Sequence, residues 1–156
     1  VAGRIVKTEW PMEDAAALAS MVESFEACTL PYKHWTHRAH LAVAIVYVRT
    51  FSFDEALNRI RERIRDYNSC CGDPAGYNET ITRLFLMRLR HDDLQGLAAA
   101  EPHAELARVV ATYGVDWLYG YYSKDRIWSS EAATAWMEPD LKPLDFSAED
   151  RISGIG

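Results

Sequence analysis

Apolar residues recur at three and four positions along most of this chain, and polar residues fill the gaps between them. That period places one face of each segment toward a core and predicts helices. The first opens at Pro11, carries Glu13 and Asp14 in its positive first turn, and repeats at Leu18, Met21, Val22 and Phe25 until Pro31. Thr36 reads as the N-cap of a second helix running to about Arg49. Its run Leu41–Val48 is apolar almost without interruption, which predicts a central element. The same run is rich in β-branched residues and would suit a strand on propensity alone, but the helical period of its neighbours favours a helix.

Ser52-Phe53-Asp54-Glu55 is a capping box that opens a third helix, with Ala56, Leu57, Ile60, Ile64 and Tyr67 along its inner stripe. After a loop rich in Gly and Pro, a fourth helix is expected from Tyr77 to Arg90. Pro102 starts a fifth, where Leu106, Val109, Val110 and Tyr113 precede the stop at Gly114. Val115 to Tyr122 predicts a short helical turn, and Ser130 caps a last helix that ends before Pro139. No pair of alternating segments flanks a hairpin turn. The expectation is an all-α, single-domain bundle of roughly five to seven helices over residues 1–142, with a pocket between helices. A polar tail follows over 143–156, its end at Ser153–Gly156 expected to fray.

Composition narrows the function classes. With 156 residues, 49% of them hydrophobic, the chain can bury a core without disulfides or a structural metal. A net charge of −6 argues against nucleic-acid binding, which relies on a basic field. Arg59, Arg61, Arg63 and Arg65 form a basic run, but Glu62 and Asp66 interrupt it, so a solvated helix face is the expectation. No apolar stretch is long enough for a membrane span, and no signal peptide is read. Cys28, Cys70 and Cys71 match neither a disulfide framework nor a zinc spacing, which points to a reducing, cytoplasmic setting. Homo-oligomerisation is left open.

The candidate chemistry centres on Trp35-Thr36-His37-Arg38-Ala39-His40-Leu41. Imidazoles at i and i+3 share a helical face and can converge on one ligand, proton or metal ion. Near a helix N-terminus they are expected to be neutral, as suits a general base, a donor to a carbonyl, or a metal ligand. The structural alternative has one ring capping backbone groups while the other packs on Trp35. Tyr77-Asn78-Glu79-Thr80-Ile81-Thr82 is the second constellation, with Glu79 facing an imidazole as its orienter or simply favouring the helix N-terminus. Glu26 lies near the negative end of the first helix and is expected to pair with Arg38 or His40, or to be exposed. Trp117, Tyr119, Tyr121, Tyr122, Trp128 and Trp136 would wall a pocket or fill a core, and Lys124 and Arg126 would hold an anionic oxygen or make surface ion pairs. His37, His40 and Glu79 are therefore the catalytic candidates, and Trp35, Arg38, Tyr77, Asn78, Thr82 and Tyr121 the candidate substrate-binding residues.

Trp35–Leu41, Gly76–Thr82 and Tyr122–Ser129, together with Glu138-Pro139-Asp140, resemble a family of small bacterial helical proteins, from about Phe25 to Leu144. In that family the second motif usually reads Tyr-His-Glu-Thr, with histidine where this chain has Asn78. The resemblance implies a His/His/His/Glu cluster from which one imidazole is missing here, and it implies no particular reaction.

Three functions are ranked. First is a small-molecule enzyme with His37 or His40 as acid or base, Glu79 orienting the ring, and Tyr77 or Asn78 polarising a carbonyl. Dehydration, cyclisation or isomerisation of an aromatic or polyketide-like carbonyl substrate would suit it, without a cofactor. Second is an iron or zinc enzyme using His37, His40 and Glu79, with Glu26 as a further ligand. Third is a non-catalytic binding module.

Overall fold

The computed structural model describes residues 5–148. The element order is α1 (Ala15–Glu26), α2 (His37–Thr50), α3 (Phe53–Cys70), α4 (Glu79–Leu94), α5 (Pro102–Thr112), α6 (Lys124–Ile127) and α7 (Ser130–Thr134). Short 3-10 turns at Tyr32–His34 and Trp117–Gly120 join them, and no strand occurs among the described residues. The chain is an all-helical domain.

Side-chain caps set most of the helix starts. Asp14, Thr36, Ser52, Asn78, Ser123 and Ser129 each accept a hydrogen bond from the backbone N–H three residues on. Asp14 is thus the cap of α1 rather than a first-turn residue, and α1 begins at Ala15, not Pro11. The capping box at Ser52 closes on one side only, because the Glu55 carboxylate turns to Arg59. Asn78 delays α4 to Glu79, two residues later than its pattern suggests, and α4 continues to Leu94. Pro102 takes the first turn of α5, as its fixed φ favours.

Helix α2 is the axis of the bundle, packed against α1, α3, α4 and α5. Ala39, Leu41, Ala42, Val43, Ala44, Ile45, Tyr47 and Val48 are all buried. Surrounded on every side, it has no need of a polar face, which explains its uninterrupted apolar run. The boundary at Pro143 does not mark the end of packing: Phe146 is buried against Trp117 and Tyr121. Ser153–Gly156 lie outside the described residues.

Candidate functional site

Thr36 organises the first motif. Its hydroxyl accepts from the Ala39 N–H at 3.2 Å, and its carbonyl accepts from both the backbone N–H and the Nδ1–H of His40, at 3.0 and 2.6 Å. A carbonyl only accepts, so the proton of the neutral ring sits on Nδ1 and the lone pair on Nε2. The ring stacks on Trp35 with centroids 3.7 Å apart, and Trp35 stacks in turn on Phe25 at 4.4 Å. Burial pushes the His40 pKa down to about 4, with the nearby His37 and Lys7 adding to the effect. The neutral ring expected at this helix N-terminus is what the surroundings enforce, and desolvation is the main cause.

His37 is fixed by a different element. Its Nε2–H donates to the Tyr113 carbonyl at 3.1 Å, an acceptor that α5 leaves unsatisfied at its C-terminal end. Its lone pair is therefore on Nδ1 when the ring is neutral, and the ring meets Phe85 edge-on at 5.4 Å. Both imidazoles line one cavity of about 360 Å³ between α2, α3 and α4, together with Trp35, Tyr77, Asn78 and Thr82. Six of the nine predicted site residues thus share a concave space of the size small-molecule sites usually have.

Glu79 is not one of them. Its two carboxylate oxygens accept from Arg61 Nε and Arg61 Nη2 at 2.8 and 2.7 Å, and Oε1 also accepts from the Tyr77 hydroxyl at 2.7 Å. Burial raises its pKa, but the bonds from Arg61 and Tyr77 outweigh that and hold the carboxyl below its usual range. It therefore orients no imidazole. Arg61, read from the sequence as part of a solvated face, is its partner because α3 and α4 pack side by side.

Other candidates are also occupied. Asn78 Oδ1 caps α4 through the Ile81 N–H at 2.9 Å, and its Nδ2 donates to the Ile127 carbonyl at 2.8 Å. It lines the cavity as a wall rather than as a carbonyl donor. The Tyr77 hydroxyl is taken by Glu79, and the Thr82 hydroxyl donates to the Asn78 carbonyl at 2.8 Å. Arg38 points away from the cavity, donating to the Trp10 carbonyl at 2.8 Å. Glu26 pairs with neither Arg38 nor His40 but accepts from the Tyr47 hydroxyl, which the helical turn of α2 brings over the end of α1. Tyr121 donates to Asp145 at 2.7 Å, and Trp117 packs on Phe85, Tyr113, Tyr121 and Phe146, so the late aromatic cluster is mainly core. Arg126 Nε donates to the Glu138 carbonyl, while Lys124 stands over the Tyr119 ring.

Lys7, Tyr32, Asn68, Asp73 and Phe85 also line the cavity, and no local pattern in the sequence marks them. Only tertiary packing carries the N-terminal segment and the end of α3 to this cavity. Trp128, 61% exposed, closes one side.

The donor chemistry fits an iron or zinc set only in part. Two imidazoles whose second nitrogens are held by backbone carbonyls have the orientation a metal site uses. The third donor does not fit, because both Glu79 oxygens are bonded to Arg61 and Glu26 is held by Tyr47. Among the described residues no three His, Cys, Asp or Glu side chains are grouped to share a metal ion. Cys28, Cys70 and Cys71 are unpaired thiols, with Cys71 donating to the Cys28 carbonyl at 3.1 Å. No helix of the described residues is long and apolar enough to cross a membrane. No protein-family model, curated protein or solved structure matches the chain.

Proposed function

We propose that the protein is a small-molecule enzyme whose acid–base pair is His37 and His40. One observation carries this reading: two imidazoles line the same cavity, each with one N–H tied to a backbone carbonyl and one nitrogen left for a ligand. Fixed tautomers and fixed rings pre-orient the lone pairs, which is what proton transfer at a bound substrate requires.

In this reading His40 Nε2 takes a proton from the carbon next to a substrate carbonyl, and the C–H electron pair moves into the carbonyl to form an enol or enolate. His37, carrying on Nδ1 a proton taken up from water, gives it to carbon for isomerisation, to the alkoxide oxygen formed on cyclisation, or to a departing hydroxyl for dehydration, and His40 releases its proton to water to close the cycle. Trp35, Phe85 and Trp128 supply flat apolar walls, which favours an aromatic or conjugated substrate. Glu79 is a positioning residue that holds Tyr77 in the wall. The unpaired thiols accord with a reducing compartment.

The test is deuterium exchange at the α-carbon of aryl ketones and 1,3-dicarbonyl compounds in D2O, followed by proton NMR. The wild-type protein is expected to accelerate exchange. His40→Ala is expected to lose about a hundredfold or more of that rate while keeping its melting temperature within a few degrees. Undiminished exchange in both His40→Ala and His37→Ala would overturn the proposal. Binding of these compounds without any acceleration would favour the non-catalytic module instead.

A further inference from the structure

The inner wall of the cavity carries an amide that the fold does not use. Asn68, near the end of α3, is only 7% exposed and lines the cavity, yet its side chain has no hydrogen-bond partner among the described residues. An amide that the fold leaves unpaired adds nothing to the packing, so an apolar residue would serve the core better. Gly72 keeps room beside it, since a Cβ there would stand 2.9 Å from Asn68 Oδ1.

Lys7 stands at the rim of the same cavity. Its ammonium donates to the Tyr32 and Trp35 carbonyls at 2.9 and 3.1 Å and lies 3.3 Å over the Tyr32 ring. Among the described residues no carboxylate is within ion-pair distance of it. Asp73, the acid on the lining, directs Oδ1 to the Ala75 N–H at 3.0 Å. One unneutralised cation and one open amide therefore accompany the two imidazoles. Together they call for an anionic group and a neutral hydrogen-bonding group on one compact ligand.

Resting on the acid–base reading above, we infer that this cavity binds an aryl-substituted oxo acid. Its carboxylate pairs with Lys7, its ketone oxygen is held by the Asn68 amide, and its ring lies along Trp35, Phe85 and Trp128. A carboxylate on Lys7 also offsets one of the charges that depress protonation of His40, so binding this ligand strengthens the base that acts on it.

The probes are 3-phenyl-2-oxopropanoate and its neutral counterpart 1-phenylpropan-2-one, titrated by calorimetry into the wild type, Lys7→Met, Asn68→Leu and Asn68→Asp, with a melting temperature for each protein. The wild type is expected to bind the acid about tenfold tighter than the ketone. Lys7→Met should bring the two affinities together. Asn68→Leu should weaken both ligands about tenfold or more at an equal or higher melting temperature. Asn68→Asp, isosteric with the native residue, carries the test if the leucine variant fails to fold, and should weaken the acid most. Unchanged affinities in either Asn68 variant, an unchanged preference in Lys7→Met, or no binding of either probe to the wild type at millimolar concentration would each overturn the inference. If the acid binds as described but both His40→Ala and His37→Ala exchange its α-protons normally, the acid–base reading fails and this one stands.

Discussion

At the scale of single residues, the decisive fact is which polar atoms are already bonded and which are left to a ligand. Glu79 is fully engaged, and it contributes stability rather than chemistry. Glu79→Gln is expected to destabilise the protein by about 2–3 kcal/mol in urea unfolding, because Arg61 is left with a weaker acceptor. The pH dependence follows from the direction of its shift. A carboxyl held below its unfolded pKa stabilises the fold above that pKa, and the contribution disappears as pH falls through the folded value. The acid limb of the stability curve should therefore be shallower in Glu79→Gln than in the wild type.

His40 loses stability over a higher pH window. Its folded pKa of about 4 lies below the ordinary histidine value of 6.5, so the unfolded chain binds a proton first as pH falls. Its stabilising contribution is complete above pH 6.5 and is lost between there and about pH 4. Chemical denaturation at pH 7 and pH 4.5 is expected to show about 1–3 kcal/mol less pH sensitivity in His40→Phe than in the wild type. The lower part of that range applies if the ring edge is solvated within the cavity.

At the scale of elements, the two caps at the ends of the motifs act on the site directly. Thr36 both starts α2 and fixes the His40 tautomer, the first through its hydroxyl and the second through its carbonyl. Thr36→Ala removes the cap and the 3.3 Å bond from the hydroxyl to the exposed Glu9 and is expected to cost about 1 kcal/mol, with Thr36→Ser restoring it. Asn78 caps α4 and ties it to the end of α6. Asn78→His should lower the melting temperature because imidazole replaces both bonds poorly. A melting temperature unchanged by that substitution would show that the cap and the Ile127 bond are dispensable.

How much of this was legible depends on the range of the interaction. Helix starts at Thr36, Ser52 and Pro102 could be read because a cap and its acceptor lie within one turn of each other. The starts of α1, α4 and α7 differ from expectation because Asp14, Asn78 and Ser129 are the caps, which makes Ser130 the first residue of α7 rather than its cap. The shared face of His37 and His40 was legible for the same local reason. The Glu79 assignment failed because its partner, Arg61, lies 18 positions away and is brought beside it only by the packing of α3 on α4. For Asn68 no local pattern exists: an asparagine on a helix stripe is ordinary until its neighbours are known.

At the scale of the whole molecule, one buried network joins the site to the far side of the bundle. Asp92 accepts from the Tyr113 hydroxyl at 2.6 Å and pairs with Arg88 and Arg108 at 2.9 Å, while Arg108 also holds the buried Glu105. These bonds lock α4 to α5 and set Tyr113, whose carbonyl receives the His37 proton. The periodicity and the capping residues of the chain, by themselves, determined an all-helical domain, a buried α2 and two imidazoles on one face. Those are consequences of bonds and side-chain spacings within a few residues. Only the tertiary structure decided that Arg61 takes Glu79, that Tyr113 holds His37, and that Lys7 and Asn68 reach the cavity. Each of those pairings joins residues far apart in the chain, and the choice among partners is made by which helix faces come together when the apolar stripes are buried.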